Sequence, residues 1–158
     1  MLQELIKAIR QLLINNVKDP RTDSVPSSRK WIQPDYPRID ATYPRISILH
    51  SGTDRREAGI GENKAVYEIT LDIDVWVRIG ESFTITEDST QRDISGNELR
   101  EWLSDQIITT IEKNRSSFCS SYNCLDLYIT GIRSLPFDPE TRLLRKTISL
   151  LIIKVETF

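Results

Sequence analysis

One stretch of this sequence, residues 67–79, alternates strictly between apolar and polar side chains. Every odd position is apolar, and every even position except Trp76 is polar. Because successive side chains of a strand point to opposite faces, this pattern predicts a long β-strand with one buried face and one solvated face. A strand covered on one side only belongs to an antiparallel or mixed sheet rather than to a doubly wound parallel sheet.

Two segments carry the apolar spacing of amphipathic helices. The first covers residues 2–16. The second begins at Ser95, which matches a capping box together with Glu98, and its apolar stripe predicts an end near Asn114. We expect both helices to bury their apolar stripes against the sheet.

Four strands are predicted in all. They cover residues 46–50, 67–79, 125–134 and 143–156, with polar loops at 51–63 and 80–92. We therefore expect a single α+β domain spanning residues 1–158, with a mainly antiparallel four-stranded sheet and the helices packed on one face. The predicted order is helix, strand, strand, helix, strand, strand.

Residues 17–44 form a proline-rich arm after the first helix. Its five prolines exclude a regular element, which predicts a long irregular segment. The arm also carries Trp31, Tyr36 and Ile39, too much apolar surface for a free linker. We expect it to pack on its own domain or on a partner subunit.

Composition excludes several classes of function. The formal net charge of −2 argues against a sequence-specific nucleic-acid binder, whose affinity comes largely from neutralising phosphates. The most apolar run, residues 148–153, is far shorter than the about 20 residues that span a membrane. No secretory leader is recognisable at the N-terminus, so the cytoplasm is the expected compartment.

The polar face of the long strand is the first place to look for chemistry. Glu68, Asp72 and Asp74 share that face, and such carboxylates can hold a metal ion or act as an acid–base pair. Alternate residues of a strand are about 7 Å apart, so these groups are spread out. A solvated or subunit-facing sheet surface is the favoured interpretation, and a small metal-dependent nuclease or other enzyme is the alternative.

Other reactive side chains are few. His50 is the sole histidine, and no catalytic motif surrounds it. Cys119 and Cys124 lack the further ligands that a zinc site needs, and they are interpreted as reduced thiols, with a local disulfide as the alternative. We predict no catalytic residue, cofactor or metal, and hence a protein that is not an enzyme.

The pattern resembles the tail terminator, or tail-completion, proteins of long-tailed bacteriophages and related viruses. The resemblance rests on the N-terminal helix, the proline-led strand that begins at Tyr43-Pro44, the long strand 67–79, the capped helix 95–113 and the terminal hairpin 125–156. It implies a virion protein, assembled in the host cytoplasm, that forms a hexameric ring on the end of the tail tube. Such a ring stops tube polymerisation and provides the docking surface for the head connector.

The resemblance implies a homo-oligomer whose other partners are the tail-tube protein and a head–tail connector or neck protein. Aromatic and arginine side chains are typical anchors of such interfaces. The candidate interface residues are Trp31, Tyr36, Arg55, Arg56, Glu57, Trp76 and Arg78. A neck or connector-completion subunit beneath the portal is the alternative within the same class.

Overall fold

The alternating segment lies at the centre of a sheet. The computed structural model describes residues 1–27, 30–38, 41–59, 61 and 63–158. Within these ranges the chain forms two helices and seven strands. They are α1 (Leu2–Asn16), β1 (Ile32–Gln33), β2 (Arg45–Glu57), β3 (Lys64–Arg78), β4 (Ser82–Glu87), β5 (Thr90–Ser95), α2 (Gly96–Tyr122), β6 (Cys124–Ser134) and β7 (Leu143–Thr157).

The predicted four-stranded, mainly antiparallel sheet with helices on one face is wrong. The described residues form a five-stranded mixed sheet, in the order β1-β2-β3-β7-β6, and a separate two-stranded sheet of β4 and β5. The main sheet is mixed because β1 runs parallel to β2, whereas the other neighbours are antiparallel. The extra strands come from segments that were predicted to be irregular.

The first extra strand, β1, lies inside the proline-rich arm. Ile32 pairs with Ile46, and the Ile46 N–H donates a 2.8 Å hydrogen bond to the Trp31 carbonyl. Trp31 and Ile32 are both buried. The strand is short because Pro34 follows it directly and has no N–H to extend the ladder.

The described part of the arm packs on its own domain. The Trp31 indole donates to the Ser27 hydroxyl at 3.1 Å, and the Ser27 N–H donates to the Ile14 carbonyl at the end of α1. Asp19 is also buried, and its carboxylate accepts from the Arg21 N–H at 3.0 Å. Ile39, another apolar residue of the arm, lies outside the described residues.

Both predicted polar loops contain strands. Residues 51–57 extend β2 and pair with β3 as far as Glu57 opposite Ala65. This half of β2 is exposed on both faces apart from the partly covered Gly52, so no apolar alternation marks it. Residues 82–95 form the β4–β5 hairpin, in which Ile85 and Ile94 are buried.

The second helix begins where predicted, but it lacks the predicted side-chain cap and ends later than predicted. Ser95 is its N-cap, although no described side chain caps the helix by a hydrogen bond, and Glu98 pairs with Arg92 instead. The predicted end at Asn114 is wrong. The helix continues to Tyr122 because Phe118 extends the buried stripe by two turns, and Asn123 then ends it in the left-handed conformation at φ 54°.

Several single elements are confirmed. The first helix ends at Asn16, β6 covers the predicted 125–134, and β7 begins at the predicted Leu143. The strand at 67–79 is confirmed as β3, which begins three residues earlier and ends at Arg78. Neither helix in the described part of the chain combines the length and hydropathy that a membrane-spanning helix requires.

Among the described residues, the buried apolar side chains form one core. Five odd-numbered side chains of β3, from Ile69 to Val77, lie in it together with the buried stripes of α1 and α2. Each large aliphatic side chain that is fully buried there contributes roughly 1.5–3 kcal/mol of transfer free energy. The even-numbered side chains of β3 therefore lie on the opposite face, where the candidate site is found.

Candidate interaction surface

Strand pairing places the Trp76 indole between two arginines. Trp76 lies opposite Arg45 of β2 on one side and opposite Arg145 of β7 on the other. Residues that are paired in this way share one face of the sheet, so the three side chains form a row across three strands. This row is the centre of the candidate site.

Arg145 connects the row to a buried carboxylate. Its guanidinium carbon lies 4.6 Å from the centroid of the Trp76 ring, and its Nη2 donates a 2.6 Å hydrogen bond to Asp74 Oδ2. Asp74 is fully buried, and its second oxygen accepts from the Thr147 hydroxyl at 2.6 Å. The indole and the guanidinium are thus held in a fixed stacked geometry, a favourable cation–π arrangement.

Two tyrosines lie beside the row, one of them exposed and the other buried. The Tyr36 ring meets Trp76 edge-on, with centroids 6.4 Å apart, and lies 5.7 Å from the Arg145 guanidinium. Tyr36 is 58% exposed. The Arg78 guanidinium lies 4.7 Å from the ring of the buried Tyr43. We call the set Tyr36, Tyr43, Trp76, Arg78 and Arg145 the Trp76 surface.

Two open grooves meet at this surface. The larger, of about 540 Å³, runs past Tyr36, Arg38 and Arg142, and we call it the Trp76 groove. The smaller, of about 470 Å³, runs past Pro136 and Arg145. Both grooves are lined by Trp76, Thr141 and Leu143.

The Trp76 Nε1 is buried and has no hydrogen-bond partner among the described residues. The surface is therefore concave, apolar at its centre and edged with arginines.

The three carboxylates of β3 are each engaged separately. Asp74 binds Arg145 and Thr147, Asp72 accepts from the Ser149 hydroxyl at 2.7 Å, and Glu68 pairs with Arg56 at 3.0 Å. Within the described ranges, no group of three or more His, Cys, Asp or Glu side chains is placed to hold a metal ion. On this strand the acids serve as cross-strand hydrogen-bond acceptors.

The remaining interface candidates lie elsewhere. Trp31 is 4% exposed, since it packs in the core of its own domain. Arg55, Arg56 and Glu57 lie near the other end of the sheet, where Arg56 is opposite Val66, roughly 33 Å along β3 from Trp76. There Arg55 donates a 3.2 Å hydrogen bond to the Tyr67 hydroxyl. Of the seven candidates, Tyr36, Trp76 and Arg78 come together at the candidate site, whereas the other four lie away from it.

The histidine and the cysteines are not part of the surface. The His50 ring shares a 2.7 Å hydrogen bond with the Thr53 hydroxyl on exposed β2. Cys119 and Cys124 are both free thiols. Burial, aided by the neighbouring Cys119, raises the pKa of Cys124 to about 11. A thiol with so high a pKa is a poor nucleophile at neutral pH.

Sequence reasoning missed Tyr43 and Arg145 as members of the site. Tyr43 stands in the arm, and Arg145 stands in the last strand, far from Trp76 in sequence. Only the pairing register of β3 with β7 indicates that Arg145 belongs to the site, because this register places Arg145 opposite Trp76.

Chemically, the surface suits the binding of a protein partner. It combines aromatic rings with guanidinium groups that are already oriented by strand pairing, the side-chain types that dominate binding energy at interfaces. No protein-family model matches this sequence, and no curated protein matches it.

Proposed function

We propose that this chain is a structural virion protein, a tail terminator that acts as a ring on the end of the viral tail tube. The observation that carries the proposal is the Trp76 surface, an oriented aromatic and arginine cluster beside open grooves. A preorganised surface of this kind loses little side-chain entropy on binding, so it favours association with a macromolecule. Its occupant is either a neighbouring subunit or another component of the tail.

The sheet supports ring formation because its two edges differ. A closed ring of identical subunits needs a heterologous contact, in which one patch of a subunit meets a different patch of the next. At one edge, β1 covers only Ile46 and Ser47 of the longer β2. At the other edge, β6 exposes Leu125 and Ile132. Two unlike edges on opposite sides of the subunit supply the geometry that such a contact needs.

The mechanism is capping. The ring pairs with the last ring of the tube and leaves no surface to which another tube subunit can add. The exposed half of β2, residues 51–57, extends beyond the core with the charged Asp54, Arg55, Arg56 and Glu57. Charges on a strand edge discourage indiscriminate strand pairing. This segment therefore suits a specific contact with the tube or the connector better than open polymerisation.

Two alternatives lead to different experiments. A neck or connector-completion subunit would use the same surface but bind beneath the portal instead of on the tube. An enzyme that uses Glu68, Asp72 and Asp74 would need at least one of these acids to be available to a substrate. The ion pair of Glu68 with Arg56 favours the structural role. So do the hydrogen bonds that Asp72 and Asp74 accept from Ser149, Thr147 and Arg145.

The test combines purified protein with purified tail tubes. We expect the wild-type chain to bind tube ends and to block elongation, as seen by light scattering and electron microscopy. Tyr36→Ala should weaken assembly by about tenfold or more, because interface aromatics are typical anchors. Val25→Ala is the matched control, since Val25 is also an exposed apolar residue of the arm, 46% exposed. A wild-type chain that never binds tubes contradicts the proposal.

A further inference from the structure

The β4–β5 hairpin ends in an exposed acidic tip. The hairpin, residues 82–95, contains three carboxylates, and one of them, Glu87, is paired with Arg92 at 3.0 Å. Of the other two, Asp88 lies at the tip and Asp93 lies opposite Thr84, nearer the base. Asp88 and Ser89 form the turn, both with positive φ, at 49° and 64°. Such values are typical of a tight two-residue hairpin turn. Asp88, Ser89 and Asp93 are all exposed.

The Trp76 groove carries the opposite charge. Its lining includes Arg38, Arg78 and Arg142, against the single Glu140. Arg38 and Arg142 are exposed, whereas Arg78 lies 3.7 Å from Glu81. Although the chain has a net charge of −2, this groove is locally basic. A basic groove with aromatic walls is complementary to an acidic turn.

The hairpin tip does not belong to the groove of its own subunit. The Thr86 N–H donates a 2.9 Å hydrogen bond to Asp23 Oδ2 of the arm, and Ile85 is buried in the core. The neighbouring Glu87 faces a depression that is lined by residues of both helices, among them Asn16 and Lys113. Trp76, in contrast, points away from the core on the opposite face of β3. The tip and the groove therefore lie on different sides of one molecule.

We infer that the β4–β5 hairpin tip of one copy docks in the Trp76 groove of the next copy. The partner is thus a second copy of this chain, and the contact is heterologous. Repetition of the contact gives a ring if the rotation closes. A groove of about 540 Å³ suits a tight turn and its flanking side chains. The inference rests on the proposed ring and names a contact, in addition to the sheet edges, that joins its subunits.

Charge reversal tests this pairing. The groove variant carries Arg38→Glu and Arg142→Glu, and the hairpin variant carries Asp88→Lys and Asp93→Lys. Each variant alone should self-associate at least about tenfold more weakly than the wild type, because like charges then face each other. An equimolar mixture of the two variants should recover association, since each acidic tip can meet a basic groove and each basic tip an acidic groove. Sedimentation velocity measures all of these states.

The matched control reverses the same number of acidic residues as the hairpin variant, but away from the hairpin and the groove. Glu4→Lys with Glu112→Lys reverses two exposed acids, one on each helix, and should leave self-association unchanged. Urea unfolding of each variant checks that it is folded before association is compared. A variant that is destabilised is replaced by the neutral pair Arg38→Gln and Arg142→Gln or Asp88→Asn and Asp93→Asn, for which a weaker loss is expected.

The outcomes separate the inference from the proposed function. If both reversed variants associate like the wild type, or if their mixture fails to recover, the hairpin–groove contact is wrong. A wild-type chain that stays monomeric both alone and on tail tubes also overturns it. If rings form and cap tubes while the reversed charges have no effect, the proposed function stands and this contact alone fails.

Discussion

Asp74 is a polar residue whose loss should greatly reduce stability. Its carboxylate is fully buried and binds both Arg145 and Thr147 at 2.6 Å. Asp74→Ala leaves a stacked, mostly covered guanidinium without its counter-ion, so we expect the free energy of unfolding to fall by about 3 kcal/mol. Urea denaturation followed by circular dichroism measures this change.

The neighbouring Asp72 is the control for that substitution. It lies two residues away on the same face, is half-buried, and accepts one hydrogen bond from the Ser149 hydroxyl. Asp72→Ala should cost about 1 kcal/mol, the typical net value of one such bond. Equal losses of unfolding free energy in the two variants would show that the Asp74–Arg145 pair adds nothing to stability. The fixed geometry of the Trp76 surface would then need another cause.

The thiol of Cys124 should be protected from alkylation in the folded protein. Burial raises its pKa to about 11, so very little of the thiol is ionised at pH 8. In a Cys119→Ser background, iodoacetamide should modify Cys124 far more slowly in buffer than in urea, as followed by mass spectrometry. Rates that match within a few-fold would contradict the burial of this side chain.

An ion pair between α2 and β7 should make stability depend on acid pH. Glu101 accepts a hydrogen bond from Lys146, which is 12% exposed, and this bond lowers the pKa of the Glu101 carboxyl despite partial burial. A carboxyl whose pKa is depressed by folding adds stability above its unfolded pKa, and this is lost as pH falls through the folded value. Solvent screening reduces the stability that this ion pair adds, since Glu101 is 44% exposed.

Glu101→Gln tests that linkage. The wild type should be more stable than the variant at neutral pH, and the difference should shrink as the pH falls below about 4.5, the ordinary pKa. Glu112→Gln, an exposed substitution on the same helix, should follow the wild type at all pH values. A difference between wild type and Glu101→Gln that is constant down to acid pH would assign the effect to packing rather than to charge.

The elements that sequence predicted well are those with a continuous apolar signal. The strand β3 has one on its odd positions, and α1 has one at helical spacing, because both are covered on one side along their whole length. Residues 51–57 of β2 carry no such signal, since they are exposed and are held in the strand by pairing with β3. Their structure is determined by a partner strand, which local sequence does not report.

The β4–β5 hairpin was predictable in principle. Phe83 and Ile85 alternate with Ser82, Thr84 and Thr86, a period-two pattern of residues that favour strands. The pattern is short, and the polar majority of residues 80–92 concealed it.

What could be predicted of the candidate site was limited for a different reason. Trp76 and Tyr36 stood out as surface aromatics, but their joining with Arg145 depends on strand register and on the path of the arm.

At the scale of the whole molecule, the described residues share one apolar core. That core includes both helices, the main sheet, the β4–β5 hairpin and, from the arm, Trp31 and Ile32. We expect elements that share one core to unfold together. The described part of the arm should accordingly be ordered in the isolated chain, before any assembly takes place.

Tryptophan fluorescence tests that order directly. In a Trp76→Phe, Trp102→Phe variant, Trp31 is the remaining tryptophan and reports on the arm alone. Because Trp31 is 4% exposed and hydrogen-bonded to Ser27, its fluorescence should change at the same urea concentration as the far-ultraviolet circular dichroism. A variant that keeps only Trp76 gives the matching curve for the sheet. An earlier transition at Trp31 would mean that the arm detaches before the core unfolds. A neighbouring subunit would then be needed to hold the Tyr36 ring against Trp76.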